Sequence, residues 1–536
     1  MPIRFWKNRR ARILVGSLGV GLLQSLLLAL PGLSAERIFA SFGPIERSIS
    51  VDTLETYART GELVDELKVY GRYLTPEQLE QFRSGLLISA DLDVVTVSQF
   101  LYTSQGEAIL QWLGGVIQTA GRQNGARAIR GAVILAAADP DGGLNVLNVL
   151  KHFPTQGARV DLQRLLVVAR AVITEINRTY ETTAQIREQS AQIAIESEND
   201  FSLNTSVVLA SSGPYRWSQQ TFEPAPLLTE LYLPQGRNLP LVVISHGLGG
   251  NLATFAYLAE HLASHGFAVA VVEHPGSSAA QLTELLGGAA REAVEPEDMI
   301  RRPTAIQGLL DELEVAVQRN PALRNRLDLQ RVGVLGQSMG AYTTLALAGA
   351  TVDLDVLGET CPPQIIQLNL SLLLQCLVPS LAQPLPALQD SRVQAAFAIN
   401  PLNSAVFGPE GLANITVPIM VVSGSEDTVT PALAEQIRPF TWLESPERYL
   451  LLMEGGTHFS TIYDPQAAEA VALPEVVIGP SPELAQHYVK VMSLAFFKTH
   501  LAGDNAYRQY LDPSYAAVLS QSNLPIALVR ELTLAE

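Results

Sequence analysis

Val332-Gly333-Val334-Leu335-Gly336-Gln337-Ser338-Met339-Gly340-Ala341-Tyr342 decides how this chain is read. The first four residues are a short aliphatic run of the kind that forms a buried strand, and Tyr342 to Ala350 reads as an apolar helix. Between them lies Gly336-Gln337-Ser338-Met339-Gly340, a G-x-S-x-G pattern on a strand–turn–helix. The pattern alone recurs by chance, and its flanks make it specific. In that setting the two glycines permit a sharp turn that holds the serine strained and outward-facing, as a nucleophile elbow requires.

A serine hydroxyl needs a base, and the chain has 8 histidines. Proteins with such an elbow order their groups as serine, acid, histidine, which leaves His458, His487 and His500. His487 and His500 fall on an apparent closing helix, 481–501, at solvent-type positions. His458 lies in Glu454-Gly455-Gly456-Thr457-His458-Phe459-Ser460, a loop directly after a strand, and is the candidate base. The acid is expected in Ser423-Gly424-Ser425-Glu426-Asp427-Thr428, after the strand 418–422. Asp427 is the candidate, with Glu426 as its rival. The other acid station, after the strand 393–399, reads Asn400-Pro401 and carries no charge.

Acyl chemistry also needs donors for an oxyanion. Ser245-His246-Gly247-Leu248-Gly249-Gly250-Asn251 follows the buried run 239–245 and precedes a helix over 255–264. The backbone N–H groups of Leu248 and Met339 are the expected pair, with Gly247 and Gly249 shaping the loop. A phosphate-binding loop is the competing reading. Leu252 stands where a dinucleotide fingerprint needs glycine, and no P-loop lysine follows. His246 is expected to brace this loop. His261 and His265 are four apart, a spacing that can ligate a metal, but no third ligand is evident. A surface or capping role is expected for them, and no metal.

Strand-like runs at 227–233, 239–245, 266–272, 332–335, 393–399, 418–422 and 448–452 alternate with helices, which predicts a mostly parallel sheet flanked by helices. Residues 36–197 read as almost wholly helical. Leu54, Tyr57, Leu63, Leu67 and Tyr70 recur at helical spacing, and Thr75-Pro76-Glu77-Gln78 looks like a helix start. The predicted organisation is therefore an all-α domain at 36–197, a catalytic domain at 198–502 with insertions at 277–303 and 351–391, and a C-terminal tail at 503–536.

The composition is consistent with this. The 536 residues carry 36 basic and 53 acidic side chains, a net charge of −17. Such a balance repels phosphate and argues against a nucleic-acid partner. With 47% hydrophobic and 17% charged residues, the chain can bury large cores and is not disordered. Five basic residues and no acidic one precede residue 13, and an uncharged apolar run, Ile13 to Leu30, then leads to Pro31-Gly32-Leu33-Ser34-Ala35. This is the plan of an export signal over 1–35, with a retained membrane anchor as the alternative. The 2 cysteines, Cys361 and Cys376, flank apolar residues in the second insertion. In an exported protein they could close a loop of about 15 residues, worth roughly 3 kcal/mol in the chain-entropy model. Whether the leucines between form an acyl-binding lid or extra core stays open.

Several of these stretches carry a resemblance. Pro240 to Gly249, His261-Leu262-Ala263-Ser264-His265-Gly266-Phe267, Val272-Glu273-His274, the elbow and Gly456-Thr457-His458-Phe459 occur in the order seen in α/β-hydrolases. Their wording resembles the platelet-activating-factor acetylhydrolase and predicted dienelactone-hydrolase-like branch, over roughly residues 200–500. Ala35-Glu36-Arg37-Ile38 and Gly43-Pro44-Ile45-Glu46-Arg47-Ser48 resemble the uncharacterised domain that precedes such hydrolases in exported cyanobacterial proteins. The resemblance implies an α/β-hydrolase fold and an esterase or lipase acting without a cofactor, with Ser338 and His458 in matching roles. That branch places its acid where this chain has Asn400, so Asp427 follows the general hydrolase pattern and narrow acetylhydrolase specificity is not implied. The expected substrate is a small-molecule or lipid ester, with peripheral membrane contact left open. Export would place the protein in the periplasm, outside the cell or in a thylakoid lumen. An acyltransferase on the same residues, or a non-catalytic lipid-binding protein on a hydrolase scaffold, are the alternative readings.

Overall fold

The computed structural model describes residues 35–196, 209–223, 226–361, 369–462 and 478–534. The expected leader at 1–35 lies outside the described residues except for Ala35, as does the apolar segment 362–368 of the second insertion. The chain divides into two compact units: residues up to Leu101 with Ile109–Val167, and Tyr102–Ala108 with Val168–Glu536.

The first unit is not all-α. Among the described residues six strands run through it: β1 (Arg37–Phe42), β2 (Ile45–Ser50), β3 (Ser89–Ala90), β4 (Ile117–Thr119), β5 (Leu144–Asn145) and β6 (Gly157–Asp161). A four-stranded sheet has the order β2-β1-β6-β4, and β3 pairs with β5. β1 and β2 form an antiparallel hairpin turned at Gly43, whose φ is 58°. These strands are short and rich in Arg, Ser and Glu, and most of their residues are half-exposed. Such a sheet has no long aliphatic run to mark it, so helical periodicity dominates the sequence around it. The helices are where the periodicity puts them. In Pro76–Leu87 the Thr75 side chain accepts from Gln78 N–H while Gln78 reaches back, a complete capping box. Leu54, Tyr57, Leu67 and Leu86 form one small core, and Val97, Leu110, Ile129, Phe153 and Ala158 belong to another.

The long helix Leu162–Glu196 does not end a first domain at 197: its residues from Val168 onward group with the second unit. Ile186 is buried in the core there, and Ser190 Oγ accepts the backbone N–H of Leu528 at 3.1 Å.

Among the described residues the second unit is built on nine strands: β7 (Trp217–Thr221), β8 (Leu228–Pro234), β9 (Leu239–Ser245), β10 (Ala268–Glu273), β11 (Leu327–Gln337), β12 (Val393–Ile399), β13 (Ile419–Gly424), β14 (Arg448–Met453) and β15 (Ile526–Val529). Their order is β15-β14-β13-β12-β11-β9-β10-β8-β7, with β9 to β14 mutually parallel, β8 and β15 antiparallel to their neighbours β10 and β14, and β7 antiparallel to β8. This is the α/β-hydrolase architecture. Leu241 and Val243 of β9 face one core, while Val242 and Ile244 face the other. Both faces are therefore covered, and each such side chain is worth about 1.5–3 kcal/mol of burial. Asp298–Arg319 and Met339–Ala348 supply the first layer, and Ala256–Ser264 and Pro482–His500 the second.

Two strands escaped the sequence reading. β7 is polar and exposed, as an edge strand can be. β15 lies within residues expected to be a tail. Instead, 503–534 carries a helix, Pro513–Leu519, and the strand that closes the sheet against β14. Four consecutive apolar residues, Ile526 to Val529, were too short a run to announce themselves.

Strand order reverses between β9 and β11: β10 lies outside β9 on one side, and β11 to β14 extend on the other. A crevice opens at the carboxyl ends of strands at such a switch point. The loop after β9 and the turn after β11 both meet there.

Candidate active site

Ser338 follows the last residue of β11 and precedes the helix Met339–Ala348, with φ 56° and ψ −119°. A non-glycine residue in that region is strained by about 1–3 kcal/mol and persists only where its surroundings hold it. Its backbone N–H donates to the Ile399 carbonyl at 2.9 Å, which pins the turn to β12. The pattern glycines are close-approach positions. A Cβ on Gly336 would strike the Gly340 carbonyl, and one on Gly340 the Ser245 carbonyl. The turn can be this tight only with glycine on both sides.

Asp427 sits in the loop after β13, buried, with its carboxylate fully engaged. Oδ1 accepts the N–H groups of Val429 and Thr430, each at 2.8 Å. Oδ2 accepts Asn400 Nδ2 and Thr430 Oγ1, each at 2.7 Å, and meets His458 Nδ1 at 2.7 Å. With Nδ1–H donated to the carboxylate, the His458 tautomer leaves Nε2 as the acceptor nitrogen. The histidine loop is tied to the elbow by the residue before the serine: Gln337 Nε2 donates to the His458 carbonyl at 3.1 Å. Glu426 is exposed, and only its backbone joins the site, through Gly456. Asn400, at the uncharged acid station, adopts φ 46° and turns its amide onto Asp427, so the two stations converge on one carboxylate. Sequence reasoning identified that position but not this contact, and it missed Thr430 and Gln337.

The loop after β9 lies against the elbow. A Cβ on Gly247 would meet the Gln337 side chain and the Ser338 Cβ. Gly249 has φ 75°, and its N–H donates to Ser277 at 2.9 Å. Met339 opens its helix, so its N–H has no acceptor within that helix. The expected oxyanion pair, Leu248 and Met339, thus belongs to two segments that meet beside Ser338.

His246 braces this loop. Its Nδ1 meets the Gly247 carbonyl at 2.6 Å, and its Nε2 accepts the His274 N–H at 3.0 Å. Burial first, then the nearby Arg302 charge, pushes its pKa down to about 3. His261 and His265 are not surface residues: both are buried, with rings 4.8 Å apart. His261 is likewise pushed down to about 3, chiefly by burial. Among the described residues no cluster of His, Cys, Asp or Glu could hold a metal ion. His500 is also not solvent-facing, since it packs on Phe496 and meets the Tyr449 hydroxyl at 3.2 Å.

These neutral histidines make stability fall in acid. An unfolded histidine binds its proton near pH 6.5, whereas folded His246 and His261 resist it until about pH 3. Between those values the unfolded chain binds more protons, so stability is full above pH 6.5 and is lost as pH falls, at up to about 1.4 kcal/mol per unit for each histidine. Urea midpoints are expected to be lower at pH 5 than at pH 7, and equal midpoints would contradict the buried neutral state.

Cys361 and Cys376 are joined by a disulfide. Leu372, between the two cysteines, and Leu377 and Val378, just after them, pack into the sheet core, whereas Leu370 is exposed. Buried Glu435 accepts from Gln375 Nε2 at 2.9 Å and from the N–H groups of Asn403 and Ser404 at 2.7 and 2.9 Å. The second insertion is thereby pinned to the loop that carries Asn400.

Comparison with known proteins fits this arrangement. Residues 223–320 match the family model described as platelet-activating factor acetylhydrolase, isoform II, and residues 34–161 match one described as an α/β hydrolase of unknown function. A cutinase of Thermobifida fusca (strain YX) is 24% identical, over 66% of this chain and 89% of its own length. Cutinase 1 of Thermobifida cellulosilytica is 25% identical, over 57% and 86% respectively. A platelet-activating factor acetylhydrolase of Cavia porcellus is 48% identical over a short stretch, 9% of this chain and 11% of its own. Fold and likenesses together support an esterase-type hydrolase on an α/β-hydrolase fold.

Proposed function

We propose that this protein is a serine hydrolase of carboxylic esters, acting on lipid or other acyl esters through an acyl-serine intermediate. The observation that carries the reading is a serine in a strained elbow beside a loop whose histidine is bonded at 2.7 Å to a buried carboxylate. Ser338 Oγ attacks the ester carbonyl while His458 Nε2 takes its proton. Asp427 holds the imidazole in the tautomer that makes this possible and stabilises the charge it gains. The N–H groups of Leu248 and Met339 receive the oxyanion. As the tetrahedral species collapses, His458 returns the proton to the departing alcohol. Water, activated by the same histidine, then releases the acid and restores Ser338.

Likeness to an acetylhydrolase model and to cutinases supports an ester substrate. An oxidised cysteine pair and the leader-like 1–35 segment support export to an oxidising compartment. The test is turnover of 4-nitrophenyl esters of graded acyl length by the full chain. Burst release of nitrophenol followed by steady hydrolysis is expected, with a maximum at some acyl length. No turnover at any length, with stoichiometric lipid retained, would replace this reading by a binding one. Rate acceleration by added alcohol with ester product would indicate transfer in place of hydrolysis.

A further inference from the structure

Arg302 is among the largest fully buried side chains of the described residues, and its hydrogen bonds converge on one place. It lies in the first insertion, near the start of the helix Asp298–Arg319. Nη1 donates to the His246 carbonyl at 2.6 Å, and Nη2 more weakly to the Gly247 carbonyl at 3.4 Å. Nε and Nη2 also donate to Ser277 Oγ at 2.9 and 2.8 Å. Ser277 in turn donates to Asp298 Oδ2, which lies 3.8 Å from Arg302 Nε. Ser277 is itself bound to the oxyanion loop, since its carbonyl accepts the Gly249 N–H.

Burying a guanidinium is expensive, and an ion pair of this kind is seldom the most stabilising way to fill a core. What Arg302 supplies that an apolar residue could not is direction. In a planar trans peptide the carbonyl and the next N–H point opposite ways. Donors on the Gly247 carbonyl, from His246 Nδ1 at 2.6 Å, Gly250 N–H at 3.3 Å and Arg302 Nη2 at 3.4 Å, therefore set where the Leu248 N–H points. The preceding peptide is held the same way through the His246 carbonyl. Hydrogen bonds in such a chain also polarise one another, which strengthens the terminal donor.

We propose that Arg302, anchored by Ser277 and Asp298, is the positioning residue of the oxyanion hole, aiming the Leu248 N–H at the oxygen of the tetrahedral intermediate. This rests on the reading of Ser338 as the nucleophile. Arg302 touches no substrate; it acts through the loop. Its loss removes an interaction made in the transition state and leaves ground-state ester binding nearly unchanged.

The experiment uses the full chain and the variants Arg302→Lys, Arg302→Met and Ser277→Ala. Each is assayed for kcat and KM on a 4-nitrophenyl ester, for melting temperature, and for affinity toward an alkyl boronic acid. The boronate's empty orbital accepts an electron pair from Ser338 Oγ, whose proton passes to His458, giving a tetrahedral anion in the oxyanion hole. Arg302→Lys and Arg302→Met are expected to lower kcat by about 10²–10³-fold with KM within about threefold, and to weaken boronate binding by a similar factor. Ser277→Ala should show a smaller loss of the same pattern. A folded Arg302→Lys whose kcat and boronate affinity stay within about threefold of wild type would overturn the inference. If the methionine variant does not fold, the lysine and alanine variants decide. Failure of the underlying reading is seen elsewhere: a wild-type protein without ester turnover, or boronate binding that survives Ser338→Ala, would remove both.

Discussion

Replacing Ser338 by alanine is expected to abolish ester hydrolysis, lowering kcat by about 10⁵-fold or more, while leaving the fold intact. The size follows from mechanism. Without Oγ no acyl-enzyme can form, and His458 has no proton to take. The structural half of the expectation is equally specific. The bonds that hold residue 338 at φ 56° are made by its backbone, through N–H to Ile399 and carbonyl to Tyr342 N–H. Alanine carries the same Cβ into the same strained turn, so the melting temperature should move by only a few degrees. Initial rates and thermal melts on the same preparation check both halves. Retained turnover would dismiss Ser338 as nucleophile, and a collapsed fold would show that the hydroxyl is structural.

Asp427→Asn is the second large effect, a fall in kcat of about 10⁴-fold. The reason lies in which atoms face the carboxylate. Oδ1 is met by two backbone N–H groups, so an asparagine in that place must turn its oxygen toward them. Its NH2 then replaces Oδ2 and faces the Asn400 amide and His458 Nδ1. Two donors oppose each other at Asn400. At His458 the ring is forced to present Nδ1 as acceptor, which puts the proton on Nε2, where the base is needed. Rates measured across pH would show a loss at every pH and no shifted optimum. Glu426→Gln is the matched control and should leave kcat within about twofold, since that side chain is exposed. A near-wild-type Asp427→Asn would move the acid elsewhere.

The insertions serve this site differently from the way their composition suggests. The second, with its cysteines and leucines, reads equally as lid or as extra core; Leu372, Leu377 and Val378 are core and Gln375 is anchored on Glu435. The first carries Ser277, Asp298 and Arg302, which grip the loop after β9. A charge in a sequence looks solvated by default. Only its neighbours reveal that it is buried and what it grips.

Much of the fold was legible because a parallel sheet covered on both faces must be written as consecutive aliphatic residues. Val242, Val243 and Ile244 are buried on alternating sides, so no polar residue interrupts them. The elbow was legible because its turn tolerates only glycine at 336 and 340, a steric demand that two residue types in a fixed local pattern express completely. The small sheet of β1, β2, β4 and β6, together with the edge strands β7 and β15, left no such mark. The strands of the small sheet and β7 are partly exposed and accept polar residues, while β15 is a buried apolar run of only four residues. For that reason 36–197 read as all-α and 503–536 as a tail.

By itself, then, the sequence determined the class of architecture, the nucleophile turn, the loop that faces it and the order in which acid and base must come. These depend on local sterics and on burial, which leave a periodic trace. Tertiary structure alone decided that Asp427 and not Glu426 meets His458, that Asn400 binds the same carboxylate, and that Arg302 stands behind the loop after β9. Each is a hydrogen bond between residues 27 or more positions apart. Such a bond depends on where two side chains arrive in space, and no spacing along the chain encodes that arrival.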